Sequence, residues 1–259
     1  MLIATCNVNG IRAAMRKGMG DWLDARLPDV LLLQEVRAEP EIVTDLLASR
    51  YPTVVTESSR LRGRAGVTVA LAQGLSPDDV RTGVGTAPDV DSGRWLEVDT
   101  GGLTVISAYL HSGTAGTPSM DAKYAHLDAV ERRLAQLDHA RPTVVAGDFN
   151  VVRGPADITN FRPNHNKTSG VFDQEMAYLE RWFGQWHDVH RELAGDVQGP
   201  YTWWSQRGKA FDNNVGWRID YQMATAPLAA AARSAAVERA ASYDARFSDH
   251  APLVVDYQL

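Results

Sequence analysis

Short apolar runs alternate with amphipathic stretches from one end of the chain to the other. Runs rich in β-branched residues and bounded by Gly, Pro or Asp predict strands over Leu2–Val8, Val30–Gln34, Val67–Ala72, Trp95–Val98, Thr104–Tyr109, Thr143–Gly147, Ile219–Thr225 and Leu253–Tyr257. Met120, Tyr124, Leu127, Val130, Leu134 and Leu137 recur at spacings of three or four. That period predicts a helix over Pro118–Leu137, with Thr117 as its N-cap and Pro118 in its first turn. Met176, Leu179 and Phe183 predict a helix over Asp173–Phe183 stopped by Gly184, and Pro40–Ser49 reads as a third. Strands and helices mix without a compositional boundary, so one layered α/β domain over residues 1–259 is expected. Two long loops interrupt the pattern, Val151–Gly170 and Gln198–Gly216. Loops of that length are more often functional than idle.

Composition narrows the class. With 259 residues, 44% hydrophobic and 22% charged, the chain has the apolar material for a large core. No run approaches the ~20 apolar residues of a membrane helix. The N-terminus has no basic segment ahead of its apolar residues, so no signal peptide is expected. A single cysteine, Cys6, excludes an internal disulfide and a multi-cysteine zinc site. These features point to a reducing cytoplasm. No long exposed apolar stripe asks for a second subunit, so a monomer is expected. Lys and Arg number 26 against 32 Asp and Glu, a net charge of −6, so composition alone carries no nucleic-acid signal.

The informative residues are polar groups at strand ends. Asn7 and Asn9 share a face by the two-residue period, as do Asp148 and Asn150. Glu35 ends the run at Gln34, Tyr109 ends the run at Ala108, Asp220 follows Ile219, and Asp249 and His250 precede the last strand. Each alone reads as a turn former. Together they bring carboxylate, amide, phenol and imidazole to strand ends, where sheet proteins gather ligands. That set suits a hard divalent cation held by oxygen and the cleavage of a phosphate ester. No G-x-S-x-G elbow, phosphate-binding P-loop or H-E-x-x-H motif is present. His187 and His190 read as a solvated surface stretch.

These motifs resemble a known family. Asn7-Val8-Asn9-Gly10-Ile11-Arg12, Leu33-Gln34-Glu35-Val36, Gly147-Asp148-Phe149-Asn150-Val151, Tyr201-Thr202-Trp203-Trp204-Ser205, Asn214 to Tyr221 and Ser248-Asp249-His250-Ala251-Pro252 are similar to the exonuclease III family of abasic-site endonucleases. That family lies within the endonuclease/exonuclease/phosphatase superfamily. The motifs occur in family order across nearly the whole chain. The resemblance implies a four-layer α/β sandwich with two packed mixed β-sheets. It implies Mg²⁺- or Mn²⁺-dependent hydrolysis of double-stranded DNA 5′ to abasic sites, with 3′-to-5′ exonuclease and 3′-end-cleaning activity.

Carried over by position, the resemblance makes Glu35 the main metal ligand, helped by Asp249 and Asn9. Asp148 would take the proton of the attacking water, with Asn150 fixing its geometry. Asn7, Tyr109, Asn150 and His250 would hold the phosphate, and Asp220 would orient His250. Trp203, Trp217 and Asn214 would form the pocket for a flipped-out baseless sugar, with Arg218 as a further contact. Arg62, Arg64, Lys167, Arg207 and Lys209 would meet the DNA backbone, although they serve equally as a solvated surface. Some positions depart from the family pattern: Arg64 stands where relatives often carry an aromatic residue, His111 where they commonly have proline, and Gln206 and Arg207 near Trp204 differ from many members. Two alternatives stay open, a phosphatase for a small phosphate ester and an inactive DNA-binding module on the same fold.

Overall fold

A computed structural model describes residues 1–259. Twelve strands form two six-stranded sheets. In chain order they are β1 (Leu2–Asn7), β2 (Val30–Gln34), β3 (Thr53–Glu57), β4 (Val67–Leu71), β5 (Asp79–Thr82), β6 (Trp95–Thr100), β7 (Leu103–Tyr109), β8 (Thr143–Asp148), β9 (His187–Asp188), β10 (Asp220–Ala224), β11 (Ala232–Val237) and β12 (Leu253–Tyr257). The first sheet runs β11-β12-β1-β2-β4-β3 and the second β5-β6-β7-β8-β10-β9. Each is mixed: β1–β2 and β7–β8 are parallel and the other pairs antiparallel.

Strand alternation explains the four layers. In β2, Val30 and Leu32 face the other sheet, while Leu31 and Leu33 pack with Leu23, Val43 and Leu47 of the outer helices. In β8, Val144 and Ala146 face inward, while Val145 packs with Leu127, Val130 and Leu179 on the opposite outer layer. The interface between the sheets is not wholly apolar. Gln34 Nε2 of the first sheet donates to Ser107 Oγ of the second at 2.9 Å, and Ser107 Oγ donates back to the Leu33 carbonyl at 3.0 Å. Gln222 Nε2 donates across the same seam to the Ile3 carbonyl at 2.9 Å. These bonds fix the register of one sheet over the other.

The expected strands are present, with ends shifted by a residue or two. The central helix covers Ser119–Leu134, shorter than its apolar period suggested. Thr117 does not cap it; its hydroxyl closes a turn onto the Thr114 carbonyl at 2.9 Å. Helical turns over Ile11–Ala14 and Gly20–Arg26, joined through a kink at Gly18 (φ 100°), were not expected. The stretch around His190 is not a solvated surface. His190 is 1% exposed and its Nδ1 has no partner. Burial, and then the charge of Arg218, push its imidazole down to about 4. The unfolded imidazole takes a proton near 6.5, so the unfolded state binds more protons below that pH, and stability falls as pH drops towards 4. His190→Asn removes this linkage. Between pH 7 and pH 5 the variant should lose about 2 kcal/mol less stability than the parent, measured by urea unfolding.

Candidate active site

The carboxyl ends of β1, β2, β7 and β8 meet the amino ends of β10 and β12 along one edge of the sandwich. Asp148 closes β8, with Tyr109 and Asp220 as its register partners on the two flanking strands. Asn7 closes β1, and Glu35 follows β2. Asn9 (φ 47°), Glu35 (φ 50°) and Asn150 (φ 53°) are non-glycine residues in the left-handed region, a local cost often found where side chains must be aimed.

Asp148 is almost fully buried and held from three sides. Asn7 Nδ2 donates to its Oδ2 at 2.9 Å, and Asn150 donates through Nδ2 at 3.1 Å and its backbone N–H at 2.9 Å. His250 Nε2 lies 3.8 Å from the same Oδ2. On its far side, His250 Nδ1 bonds Asp220 Oδ2 at 2.9 Å. Burial opposes charge on His250, but Asp220 and then Asp148 outweigh it and raise the imidazole. Burial raises the Asp148 carboxyl above the usual carboxylate range, with His250 pulling it back. The chemical product is a cation poised to donate from Nε2 beside a carboxyl made more basic than usual.

A second group faces the cavity mouth. Asn7 Nδ2 also donates to Glu35 Oε1 at 2.9 Å. Asn9 Nδ2 donates to Asp249 Oδ1, and Trp203 Nε1 to Asp249 Oδ2, at 2.9 and 3.2 Å. Arg37 forms an ion pair with the other oxygen of Glu35. Two donor sets could therefore be considered for a metal. Asp148, Asp220 and His250 bring ligand atoms within 4.8 Å of one another, but a protonated imidazole has no lone pair to give. Glu35 and Asp249, with the Asn9 amide, are the oxygen donors that suit a hard divalent cation.

The cavity over these groups holds about 710 Å³. Trp203 and Trp217 form one wall, their rings 5.6 Å apart at 82°. The two residues exchange backbone bonds of 2.9 Å in both directions, so each fixes the other. Tyr109 lines the floor beneath the guanidinium of Arg94, 4.7 Å from its ring centre. Burial, Glu35 and then Asp148 hold its phenol in the protonated form. Arg64 and Lys167 also reach the cavity. Arg62, 94% exposed, Arg207 and Lys209 do not line it.

Asn214 and Arg218 are placed differently from the sequence expectation. Asn214 turns its Oδ1 to the Trp204 indole N–H at 3.0 Å, behind the wall, and does not line the cavity. Arg218 is buried and clamps Asp157 and Asp188 with four bonds of 2.7 to 3.1 Å. It anchors the Trp217 loop and meets no solvent. Arg218→Met would remove four bonds and leave Asp157 to Arg191 and Asp188 to Arg153, an expected loss of about 3 kcal/mol in chemical unfolding. His111, one of the departures, bonds the Val90 carbonyl at 2.7 Å and packs edge-on against His126, away from the catalytic groups. Sequence reasoning also missed Arg37 and Arg94. Arg37 sits two residues from Glu35, a usable signal; Arg94 had none.

Residues 4–250 match the endonuclease/exonuclease/phosphatase family.

The chain belongs to this family.

An exodeoxyribonuclease of Bacillus subtilis is 30% identical over 255 residues, covering 98% of each chain. A DNA-(apurinic or apyrimidinic site) endonuclease of Dictyostelium discoideum is 26% identical, covering 98% of this chain and 70% of its own. The solved structure of an AP endonuclease from Archaeoglobus fulgidus superposes with a TM-score of 0.87 at 28% identity, over the full length of both chains. The two-sheet sandwich of this family member is the architecture that the sequence resemblance implied. No helix is long and apolar enough to cross a membrane.

Proposed function

We propose that this chain is a DNA-repair phosphodiesterase, hydrolysing the backbone of double-stranded DNA 5′ to abasic sites, with 3′-to-5′ exonuclease and 3′-end-cleaning activity. The observation that carries this reading is the juxtaposition of Asp148 and His250 Nε2 at 3.8 Å beside an oxygen-donor pair, under an indole-walled cavity. A phosphodiester needs a base for the attacking water and positive charge on its oxygens. Asp148 accepts the water proton, oriented by Asn7 and Asn150. His250 donates from Nε2 to a phosphate oxygen, and Asp220 keeps the ring charged and aimed. Tyr109 completes the phosphate contacts; Asn7, expected to join them, has given both amide hydrogens to Asp148 and Glu35 and instead orients these carboxylates. Glu35 and Asp249, assisted by Asn9, would hold the divalent cation, Mg²⁺ or Mn²⁺. Bound there, such a cation supplies neutralisation of charge on the phosphate and leaving oxygen.

Trp203 and Trp217 would wall a slot for a sugar without its base, a size filter that a complete nucleotide fails. Arg64 and Lys167 are the backbone contacts that the cavity supports; with few cations engaged, binding should weaken only moderately with salt. The protein would act as a cytoplasmic monomer.

The test is cleavage of a duplex carrying one reduced abasic site. A single cut 5′ to the site, lost on chelation, is the expected result. Binding without cleavage under any divalent cation would leave a DNA-binding module. Inertness with turnover of a small phosphate ester would move the substrate class. Glu35→Gln should weaken Mn²⁺ binding on the order of 100-fold in calorimetry, since the carboxylate charge is removed from the ligand set.

A further inference from the structure

Lys123 and Glu175 form a completely buried ion pair, 2.6 Å between Nζ and Oε1, with both side chains at 0% exposure. Lys123 comes from the helix Ser119–Leu134 and Glu175 from the first turn of the helix Asp173–Phe183. The ammonium also donates to the Ser112 carbonyl at 3.1 Å, the Asn150 carbonyl at 3.0 Å and Ser169 Oγ at 3.2 Å. Glu175 accepts from the Gly170 and Phe172 backbone N–H groups at 2.6 and 3.1 Å. Ser112, Asn150 and Ser169 belong to three separate segments, and all three line the cavity. One buried cation therefore ties together three of the segments that line the cavity.

A buried pair of this kind is poorly explained by stability. Exchange of both charges for apolar groups of similar volume is commonly neutral or stabilising. What apolar groups cannot supply is a donor to the Asn150 carbonyl. Asn150 stands at φ 53°, and its side chain and backbone N–H are two of the bonds that aim Asp148. A non-glycine residue in that region needs its surroundings to hold it. The packing leaves little slack: a Cβ on Gly170 would lie 2.7 Å from the Asn150 carbonyl oxygen.

We infer that Lys123 is a positioning residue for the hydrolysis, acting through the Asn150 carbonyl to hold Asp148 in its reactive geometry. This rests on the nuclease reading above. Lys123→Met alone strands the Glu175 charge and risks unfolding, so the informative proteins are Lys123→Met/Glu175→Leu and Lys123→Met/Glu175→Gln. The second keeps an acceptor for the Gly170 and Phe172 N–H groups. In whichever variant melts like the parent, kcat on the reduced abasic duplex should fall about 10- to 100-fold, with KM within threefold, as expected when a reacting group is displaced by a fraction of an ångström. Exchange of the Asn150 backbone N–H, followed by NMR, should speed up at least tenfold. A parent-like melt with kcat within twofold of the parent and unchanged Asn150 exchange would overturn the inference. If the parent itself does not cut DNA, the nuclease reading fails. The exchange arm then still decides whether Lys123 positions Asn150.

Discussion

Asp148→Asn should lower kcat for cleavage at a reduced abasic site by about 10³-fold while leaving affinity for the duplex within about threefold. The asparagine has the same size and can keep the Asn150 backbone bond to its side-chain oxygen, though its amide nitrogen cannot accept from Asn7 and Asn150 as Oδ2 does. What it lacks is a basic oxygen to take the proton of water. Because Asp148 is buried, little of its side chain is available to grip substrate, so the loss belongs in kcat and not in KM. Single-turnover kinetics separate the two. A drop of less than tenfold would remove Asp148 from the role of base and shift attention to Tyr109, its register neighbour.

The second large effect is expected at Asp220. Asp220→Asn should reduce kcat by about 10²-fold through His250. The Asp220 carboxylate meets His250 Nδ1 at 2.9 Å, and its other oxygen is buried without a partner. The neutral amide can still bond the ring, but it no longer favours a charged one. His250→Asn and Asp220→Asn should therefore be strongly non-additive, the double variant being no slower than His250→Asn within about threefold. Additive losses in the double-mutant cycle would mean that Asp220 acts on substrate independently of His250.

Most of the site was legible because its residues end apolar strands. Asn7, Glu35, Tyr109, Asp148 and Asp220 each punctuate a run whose period marks it as a buried strand, so a residue out of place in the pattern was visible as such. Edge strands were not legible. β5 and β11 have no buried residue, only exposed and half-buried ones, which in sequence looks like loop. The edge strand β5 carries Arg81 paired with Asp79, Glu97 and Asp99, a charged guard against further pairing.

Buried charges were the other blind spot. Lys123 lies three residues after Met120, on the buried side of its helix, where nothing local marks a lysine as paired. Its partner, Glu175, lies in another helix, and local pattern cannot reach across that separation. Arg218 read as a DNA contact because it sits inside a recognisable motif, yet its partners are Asp157 and Asp188, 61 and 30 residues away. Asn214 failed for a local reason: its backbone is left-handed, φ 52°, and its side-chain Oδ1 accepts from the Trp204 indole N–H.

The strand order of the first sheet has a consequence for the newly made protein. β12 inserts between β1 and β11, and the bond from Asn9 to Asp249 spans 240 residues. During synthesis β1 therefore waits with one edge unpaired, and contacts of such sequence separation form late. Until β12 docks, the nascent polypeptide has neither His250 over Asp148 nor Asp249 beside Glu35. The constellation is thus completed only when β12 pairs, and until then the open flank of β1 is where a stalled or truncated product would aggregate.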